Sequence, residues 1–319
     1  MATSDIITKA IISSSKHKYL MSIKGTYDKT LTEAQFKQNV KNNMFNASFI
    51  IERLNGMINC IDISIYNPPT YGTRKRKVSE YADINNIESN SACNIAGNLD
   101  SGAGTRDMIY TALQTVLIFC PWIKYFKLHD YSRKLCISKE PSTGVSLSCY
   151  YIALYGKTWY ESVLGAKLED LIDRATYEEC ISKLYKTEYK ISLHDFISLI
   201  SNKGKLSLKK AELIMDVYNT TDTYFNFFGK LRQIINDNEE LCLTLQPWIE
   251  NFILNKLFNN TNLLIRQWIV EAHSIPEVTF KDPWLVDEQY LGGKDKFDKL
   301  LQKLIKQSGG SRKRGYKIL

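Results

Sequence analysis

The feature with the clearest chemistry is a glycine-containing turn that precedes a helical pattern. Gly102 and Gly104 lie in the segment SGAGT, and apolar residues then recur with a helical period from Met108 to Leu117. A helix N-terminus presents unpaired N–H groups and the positive end of the helix dipole, and glycines let a phosphate approach without a Cβ in the way. An ordinary helix start is the alternative, because neither GxxxxGK(S/T) nor GxGxxG is matched. The predicted phosphate-binding residues are Ser101, Gly102, Ala103, Gly104 and Thr105.

A carboxylate and an imidazole come next, at the end of a predicted strand. His129 and Asp130 follow the alternating segment 122–128, and open α/β sheets bind their ligands at strand ends. Because neighbouring residues of a strand point to opposite faces, only one of the two can face such a site. We favour Asp130 as a catalytic candidate, and a structural cap to Ser132 or the following turn is its alternative role.

Metal and disulfide chemistry receive no support from the sequence. The seven cysteines are odd in number and form no CxxC pair, which disfavours both a disulfide framework and a zinc site. The four histidines show neither HxxxH nor HExxH spacing, so we expect no metal. A GxSxG motif of serine hydrolases is also absent from the sequence.

The net charge of +8 is concentrated in two short segments. These basic residues are Arg74, Lys75, Arg76 and Lys77 in one polar stretch, and Arg312, Lys313, Arg314 and Lys317 in the C-terminal tail. Removing these eight from the 42 basic residues leaves as many as the 34 acidic ones. The pattern predicts weak, salt-sensitive contact with nucleic acid or another polyanion, and a merely solubilising tail is the alternative.

The elements that must position these residues include a β-hairpin. Residues 47–54 and 57–66 are rich in Ile and Phe, and Asn55-Gly56 between them favours a type I′ turn. Residues 1–30 are predicted to be ordered only in part, and 70–98 to form a long polar surface loop that carries the first basic segment. The N-terminal half is therefore expected to be an α/β region.

Beyond residue 168 the pattern becomes helical almost throughout. No apolar run approaches the roughly 20 residues of a membrane helix, and no secretory leader is recognisable, so we expect a protein that neither contacts membranes nor is secreted. The fold class predicted is α/β or α+β, with a mixed sheet and flanking helices followed by an all-α C-terminal domain. Its expected divisions are a partly ordered segment 1–30, an α/β domain 31–168, a helical domain 169–306 with an unknown protein partner, and a basic disordered tail 307–319.

The glycine turn and its surroundings resemble the GNAT family of N-acetyltransferases. In that family a strand leads into an (Arg/Gln)-x-x-Gly-x-(Gly/Ala) turn and a helix that hold the pyrophosphate of coenzyme A. Gly102 and Gly104 match the glycine positions, 105–119 the helix, and 123–129 the strand that follows it. The family's mixed sheet is therefore the expected form of the α/β region.

A second segment extends the resemblance, which covers about residues 47–168. The family's later helix ends in a pattern like Leu-Tyr-Glu-Lys-Leu-Gly-Phe, matched here by Trp159-Tyr160-Glu161 with Gly165. The stretch from LHDYSRKLC to GKTWYESVLGAKL also resembles divergent acetyltransferase-like proteins of large nucleocytoplasmic DNA viruses.

The resemblance implies a function, a cofactor and a cellular setting. Acetyl-CoA or another acyl-CoA would bind the 101–105 turn, and the acyl group would pass to an amine. Tyr160, at the family's tyrosine position, would protonate the departing thiolate; a buried hydroxyl in a helix-packing face is the alternative. A viral protein of this kind would lie in the host cytoplasm, at the viral factory, or in the virion.

A second function remains open from the same residues. Leu99 stands where the family motif has Arg or Gln, and no clear glutamate occupies the position of a general base. A catalytically degenerate acetyltransferase fold would then serve as a viral structural, assembly or interaction protein, with the helical domain as its docking surface.

Overall fold

The computed structural model divides into two compact units. Unit 1 comprises residues up to Leu128 together with those from Val270 onward, and unit 2 comprises His129–Ile269. The sequence placed the division near 168 instead. The structure describes residues 3–14, 17–28, 46–52, 59–65, 80–88, 93–94, 99, 102–120, 122–137, 144–201, 206–280 and 285–286.

Unit 1 is built on a mixed sheet with the strand order β11-β1-β2-β3-β4-β5-β6. Every neighbouring pair in this order is antiparallel except β5 and β6, which are parallel. Its strands are β1 (Thr3–Ser13), β2 (Lys18–Asp28), β3 (Asn46–Glu52), β4 (Asn59–Ile65), β5 (Tyr81–Ile87), β6 (Tyr125–His129) and β11 (Leu285–Val286). The mixed α/β class predicted for the N-terminal half is confirmed.

The predicted hairpin is present as β3 and β4. Ala47 pairs with Ile65 and Glu52 with Asn59, so the strands enclose the Asn55-Gly56 pair. Phe49, Ile61 and Ile63 are buried, which is the reason that an Ile- and Phe-rich sequence forms a sheet face here. The turn itself lies outside the described residues.

Two N-terminal segments differ from the sequence-based expectation. Residues 1–30, expected to be ordered only in part, contain β1 and β2, which pair antiparallel from Thr3↔Asp28 to Ser13↔Lys18. The stretch 70–98, read as a polar loop, contains β5. Its sequence YADINNI alternates weakly because only Ala82 and Ile84 are buried, and partners on both sides stabilise it as a strand.

One long helix, α1 (Ala103–Phe119), connects β5 to the parallel strand β6. Parallel neighbours need such a crossover, because a tight turn can join only antiparallel strands. Met108, Leu113 and Val116 of the predicted helical period are buried, and so are all residues from Thr111 to Val116, so the middle of α1 is enclosed on every side. Gln114 Nε2 donates to the carbonyl oxygens of Ile275 (3.2 Å) and Pro276 (3.0 Å). These hydrogen bonds hold the C-terminal segment of unit 1 against α1.

Unit 2 is mainly helical. Its helices are α2 (Leu147–Tyr155), α3 (Trp159–Leu164), α4 (Leu171–Ser182), α5 (Leu193–Ser201), α6 (Leu208–Asn219), α7 (Tyr224–Ile234), α8 (Asn238–Leu245) and α9 (Ile249–Asn251), which continues as a π-helical turn over Phe252–Leu257. An aromatic core formed by Phe196, Phe227, Trp248 and Phe252 packs edge to face. The helices predicted from the apolar pattern of this part of the sequence are therefore present.

The C-terminal region is not wholly helical, although an all-α domain was expected over 169–306. Strand β10 (Gln267–Glu271) pairs through Trp268 and Ile269 with β9 (Lys167–Leu168), and β11 also falls in this range. Within unit 2, β7 (Arg133–Leu135) and β8 (Gly144–Ser146) form a second small sheet. The residues of β10 alternate between buried and half-buried, which is the period of two that a strand has. The sequence analysis had assigned this segment to a helix.

The prediction of unpaired cysteines is wrong for four of the seven. Cys60 is bonded to Cys93 in unit 1, and Cys136 to Cys242 in unit 2. The partners lie 33 and 106 residues apart in sequence, so no local spacing could reveal them. Cys120, Cys149 and Cys180 are free and buried, and they pack as small apolar side chains.

Candidate functional site

The turn expected to bind phosphate begins α1 in unit 1. Gly102 is the N-cap with φ +86°, a conformation that favours glycine, and Gly102 and Ala103 are both exposed. No side-chain hydrogen bond caps the helix, and its first turn holds no acidic residue. Arg106 N–H donates to the Gly102 carbonyl oxygen at 3.0 Å and starts the helical pattern. This end of α1 is suited electrostatically to an anion.

Only part of the expected turn presents a surface. A Cβ on Gly104 would lie 2.9 Å from Leu99 Cδ1, so this glycine allows Leu99 to pack closely against α1. Gly104 and Thr105 are buried, and Ser101 lies outside the described residues. Gly102 and Ala103 are therefore the two predicted residues that a ligand could reach in the described part of the turn.

In unit 2 the structure brings together the two residues that the sequence singled out for catalysis. Asp130 and Tyr160 are connected through Ser132, and we call these three residues the Asp130 cluster. Ser132 N–H donates to Asp130 Oδ1 at 3.2 Å, and the Ser132 and Tyr160 hydroxyl oxygens lie 2.7 Å apart. The Asp130–Ser132 cap that was the alternative role for Asp130 is thus present, and it forms part of a larger network.

The carboxyl group of Asp130 is buried, with 5% of its surface exposed. Its Oδ2 atom has no hydrogen-bond partner among the described residues. Burial raises the pKa of Asp130 to about 6, and nearby hydrogen-bonding groups of Ser148 and Ser132 oppose the rise only in part. Asp130 can therefore exchange a proton near neutral pH, which an ordinary exposed aspartate cannot.

Tyr160 is held as a protonated hydroxyl. Burial raises its pKa well above the ordinary tyrosine value, and the negative charge of Asp130 adds to the rise. The hydroxyl therefore stays neutral at neutral pH, and the raised pKa makes it a weaker acid than an ordinary tyrosine. The proton-donor role that the family resemblance implies stays a prediction.

Helix α3 fixes the direction of Tyr160. Thr158 and Glu161 form a capping box at its N-terminus, and Gly165 ends it in the left-handed region at φ +63°. The Glu161 carboxylate also accepts a hydrogen bond from the Tyr177 hydroxyl. The TxxE pattern between Gly156 and Gly165 therefore predicts, from local sequence alone, the start of the helix that carries Tyr160.

His129 lies apart from the Asp130 carboxylate. It is exposed, its Nδ1 lies 3.4 Å from the Ile265 carbonyl oxygen, and its ring stacks on Tyr131. The alternation of strand residues accounts for an exposed His129 beside a buried Asp130. The two residues thus differ in burial, and the choice of Asp130 over His129 as a catalytic candidate stays a prediction.

Sequence reasoning missed a second polar cluster, which lies entirely in unit 1. Asp107 Oδ2 is close to three side-chain donors, Ser14 Oγ at 2.6 Å, Tyr19 OH at 2.7 Å and His17 Nδ1 at 2.9 Å. We call these four residues the Asp107 cluster. Asp107 had served only to exclude a GxGxxG motif, and His17 is 90 residues away in sequence, so only the fold brings them together.

The remaining sequence-based expectations concern the basic segments, metal ions and membranes. Both basic segments, 74–77 and 312–317, lie outside the described residues. Within the described ranges, no group of three His, Cys, Asp or Glu side chains is arranged to hold a metal ion. Of the helices described, none has the length and apolarity needed to span a membrane.

Comparison with known proteins adds no family assignment. Neither the protein-family models nor the curated proteins nor the solved structures gave a match to this chain. Its function therefore has to be inferred from its own residues and their geometry.

Proposed function

We propose that this chain is an acetyltransferase-like protein that binds an acyl-CoA through the N-terminus of α1 and transfers the acyl group to an amine. The observation that carries the proposal is the connection of parallel strands β5 and β6 by a helix that begins at a positive-φ glycine, without a side-chain cap or an acidic first turn. That order of strand, glycine turn, helix and strand is the one the GNAT resemblance implies.

The end of β5 gives further support. The parallel pairing runs from Tyr81↔Tyr125 to Ile84↔Leu128, while β5 continues to Ile87. Asn85 and Asn86 on this extension are exposed, and the register against β4 shifts there. In the GNAT family the central strand binds the pantetheine arm through its backbone, and an extended strand end beyond the last parallel pair suits that role.

The proposed chemistry is the attack of an amine on a thioester. The acyl-CoA supplies the thioester, whose carbonyl carbon is attacked by the amine nitrogen. The C–S bond breaks, the thiolate leaves with the electron pair, and it takes up the proton that the amine loses by way of the solvent. On the resemblance, we place the protein in the virion or in the host cytoplasm.

The proposal is tested by isothermal titration with coenzyme A and acetyl-CoA. Ala103→Glu places a negative charge in the exposed first turn, which favours the helix by about 0.3–1 kcal/mol but repels a pyrophosphate. We expect wild type to bind and Ala103→Glu to bind at least about tenfold more weakly. Ala103→Gln is the matched neutral control and should bind like wild type. Absence of binding to folded wild type at millimolar ligand would overturn the proposal.

A second candidate is a catalytically degenerate protein that serves in assembly or docking. The contact between Leu99 and Gly104 favours it, because an apolar side chain occupies the motif position where the family has Arg or Gln. Leu99 is buried against α1 and offers no charge to a phosphate. The same titration separates the two candidates, since the degenerate protein folds but binds neither coenzyme A nor acetyl-CoA.

A further inference from the structure

We propose that unit 2 binds single-stranded nucleic acid on a surface formed by three exposed tyrosines and two cations. The residues are Tyr155, Tyr185, Lys186, Tyr189 and Arg232, and we call this surface the Tyr185 patch. The inference goes beyond the proposed function, since none of these residues takes part in binding the acyl-CoA or in acyl transfer. It rests on the alternation of flat aromatic rings with positive charges, which is typical of surfaces that bind single strands.

The three tyrosine rings of the patch are in contact with solvent. Tyr155, Tyr185 and Tyr189 have exposed fractions of 40%, 48% and 42%. Tyr218 of the unit 2 core, by contrast, is buried, and its hydroxyl donates to the Ile191 carbonyl oxygen at 2.7 Å. Large apolar faces that lie together in water mark interaction surfaces. The exposed rings therefore indicate a surface that a ligand covers.

The end of α2 holds the first two rings next to each other. Tyr155 is the last residue of α2, and Gly156 follows it at φ +68°. A Cβ on Gly156 would overlap the Tyr185 hydroxyl oxygen, so this glycine lets Tyr185 lie directly against the end of the helix. The Tyr185 ring also packs on Phe225, with 4.6 Å between the ring centroids. These contacts fix the orientation of Tyr185 before any ligand binds.

Helix α7 supplies the first cation of the patch. Arg232 is exposed, and its Cζ atom lies 5.0 Å from the centroid of the Tyr155 ring. Phe225 and Arg232 are seven residues apart, so they share one face of α7, about 10 Å apart along its axis. Tyr185 packs at one end of this face and Tyr155 at the other. The guanidinium group thus offers a positive charge and a flat surface on which a base can stack.

A second cation–tyrosine pair lies in the segment 183–190. Lys186 Nζ lies 5.7 Å from the centroid of the Tyr189 ring, and Lys183 Nζ lies 5.8 Å from it. Lys183 also lies 3.5 Å from a carboxylate oxygen of Glu179, so its charge is partly compensated. Lys186 is exposed, and it is therefore the cation of this pair that a phosphate can reach.

The charge of the patch suits phosphate groups. Among the described residues, neither Lys186 nor Arg232 has a carboxylate within salt-bridge distance. The exposed Glu188 follows Lys186 by two residues and reduces the positive charge of the segment in part. We therefore expect salt-sensitive binding that becomes tighter when Glu188 is neutralised.

The flat rings favour a single strand over a duplex. Bases of a duplex stack on one another, whereas unpaired bases can stack on tyrosine and arginine side chains. Tyr185 and Tyr189 are at most about 14 Å apart, because four residues of extended chain cover no more. A few nucleotides span that distance. Since every base has a flat face, we expect little sequence preference.

The charges are tested by the fluorescence anisotropy of a labelled oligothymidine of about 12 nucleotides, titrated with the full chain at several salt concentrations. We expect Arg232→Gln and Lys186→Gln each to weaken binding and to flatten the slope of log affinity against log salt by about 0.7. Glu188→Gln should bind a few-fold more tightly than wild type. Arg266→Gln is the matched control, because the Arg266 side chain is 61% exposed and lies outside the patch.

The aromatic rings are tested in the same titration by substitutions that keep an apolar side chain. We expect Tyr155→Leu and Tyr189→Leu each to weaken binding about tenfold and to leave the salt slope unchanged, because each loses a stacking surface without losing a charge. Tyr131→Leu is the matched control, since Tyr131 is 71% exposed in unit 2 and is not part of the patch. Thermal unfolding of each variant shows whether it is folded.

The basic segments 74–77 and 312–317 are present in every variant, so differences between variants report on the patch alone. Wild type that binds a duplex of the same length as tightly as the single strand would overturn the inference. So would charge variants that weaken binding while folded Tyr155→Leu and Tyr189→Leu bind like wild type, because that result indicates a general polyanion surface. Equal affinity for polyglutamate would also exclude nucleic acid as the ligand. None of these outcomes depends on the titration with coenzyme A, which tests the proposed function separately.

Discussion

At the scale of single residues, protonation is the property that the structure changes most. Asp130 has a raised pKa because its carboxyl group is buried and one oxygen has no partner in the described part of the chain. Tyr160 is buried close enough for the Asp130 charge to act on it, and its pKa is also raised. Both shifts favour the neutral forms, so the cluster stores protons at a pH where exposed carboxylates have lost them.

Asp130 should make stability depend on pH in a defined direction. Because its folded-state pKa of about 6 exceeds the ordinary value, the folded state binds this proton more tightly than the unfolded state does. The resulting stabilisation is complete below about pH 4 and is lost as the pH rises through 6, amounting to about 3 kcal/mol. In urea unfolding from pH 4 to 8, Asp130→Asn should gain stability relative to wild type over this interval. A difference between the two proteins that does not change with pH would contradict the shift.

Two buried tyrosines allow a matched test of the Ser132–Tyr160 hydrogen bond. Tyr160→Phe removes a hydroxyl that lies 2.7 Å from Ser132 Oγ, and should cost about 1 kcal/mol or more of unfolding free energy. The Tyr150 hydroxyl is buried without a hydrogen-bond partner in the described structure, so Tyr150→Phe should be neutral or stabilising. Equal losses in urea unfolding would show that the Ser132 contact contributes nothing.

At the scale of elements, α1 combines a packing role with an exposed end. Its buried residues pack in unit 1. Because Gly104 has no Cβ, the Leu99 side chain can pack directly against the helix backbone. The exposed N-terminal turn at Gly102 and Ala103 remains accessible for an anion. Neighbouring glycines in one motif therefore serve different purposes, one conformational and the other steric.

A pair of glycine substitutions tests this division. Gly104→Ala should destabilise the protein by about 1–3 kcal/mol, because the added Cβ would lie 2.9 Å from Leu99 Cδ1. Gly229 lies within α7 with nothing within 4 Å of an added Cβ, so Gly229→Ala should stabilise by about 0.5–1 kcal/mol. Thermal unfolding of both variants gives the comparison. A Gly104→Ala protein as stable as Gly229→Ala would contradict the close Leu99 packing.

At the scale of the whole molecule, each unit contains one covalent cross-link. The Cys60–Cys93 and Cys136–Cys242 bonds join residues that are 33 and 106 positions apart in sequence. Such bonds stabilise a fold largely by restricting the unfolded chain, typically by about 2–4 kcal/mol each. Disulfides are uncommon in reducing compartments, so these two cross-links do not fit the cytoplasmic location proposed above.

Thiol titration tests the disulfides. The oxidised protein, denatured without reductant, should expose the three free thiols of Cys120, Cys149 and Cys180. Reduction should expose all seven and lower the melting temperature, because both cross-links are lost. Seven reactive thiols in the unreduced protein would contradict both pairings.

The basic tail gives a prediction that depends on charge alone. Arg312, Lys313, Arg314 and Lys317 lie in a Gly- and Ser-containing segment without apolar periodicity. Deleting residues 308–319 should weaken nucleic-acid binding about equally for unrelated sequences, and should flatten the slope of log affinity against log salt by up to about 3–4 units. Unchanged affinity and slope would leave 74–77 as the remaining basic candidate.

The sequence by itself determined the features that depend on neighbouring residues. An Asn-Gly pair between apolar runs predicted the β3–β4 hairpin, and the period from Met108 to Leu117 predicted α1. The Asp130–Ser132 cap was also foreseen as an alternative role, since it spans two residues. Such signals are reliable because turn, cap and helix energies arise within a few residues of one another.

Only the tertiary structure decided the features that join distant segments. Strand β5 is polar in sequence and is stabilised by partners on both sides, while four cysteines pair across 33 and 106 residues. The Asp107 cluster joins the β1–β2 connection to α1 across about 90 residues of chain. Interactions between neighbouring residues cannot predict these contacts, because each contact becomes favourable only after the sheet and α1 have brought the two distant segments together.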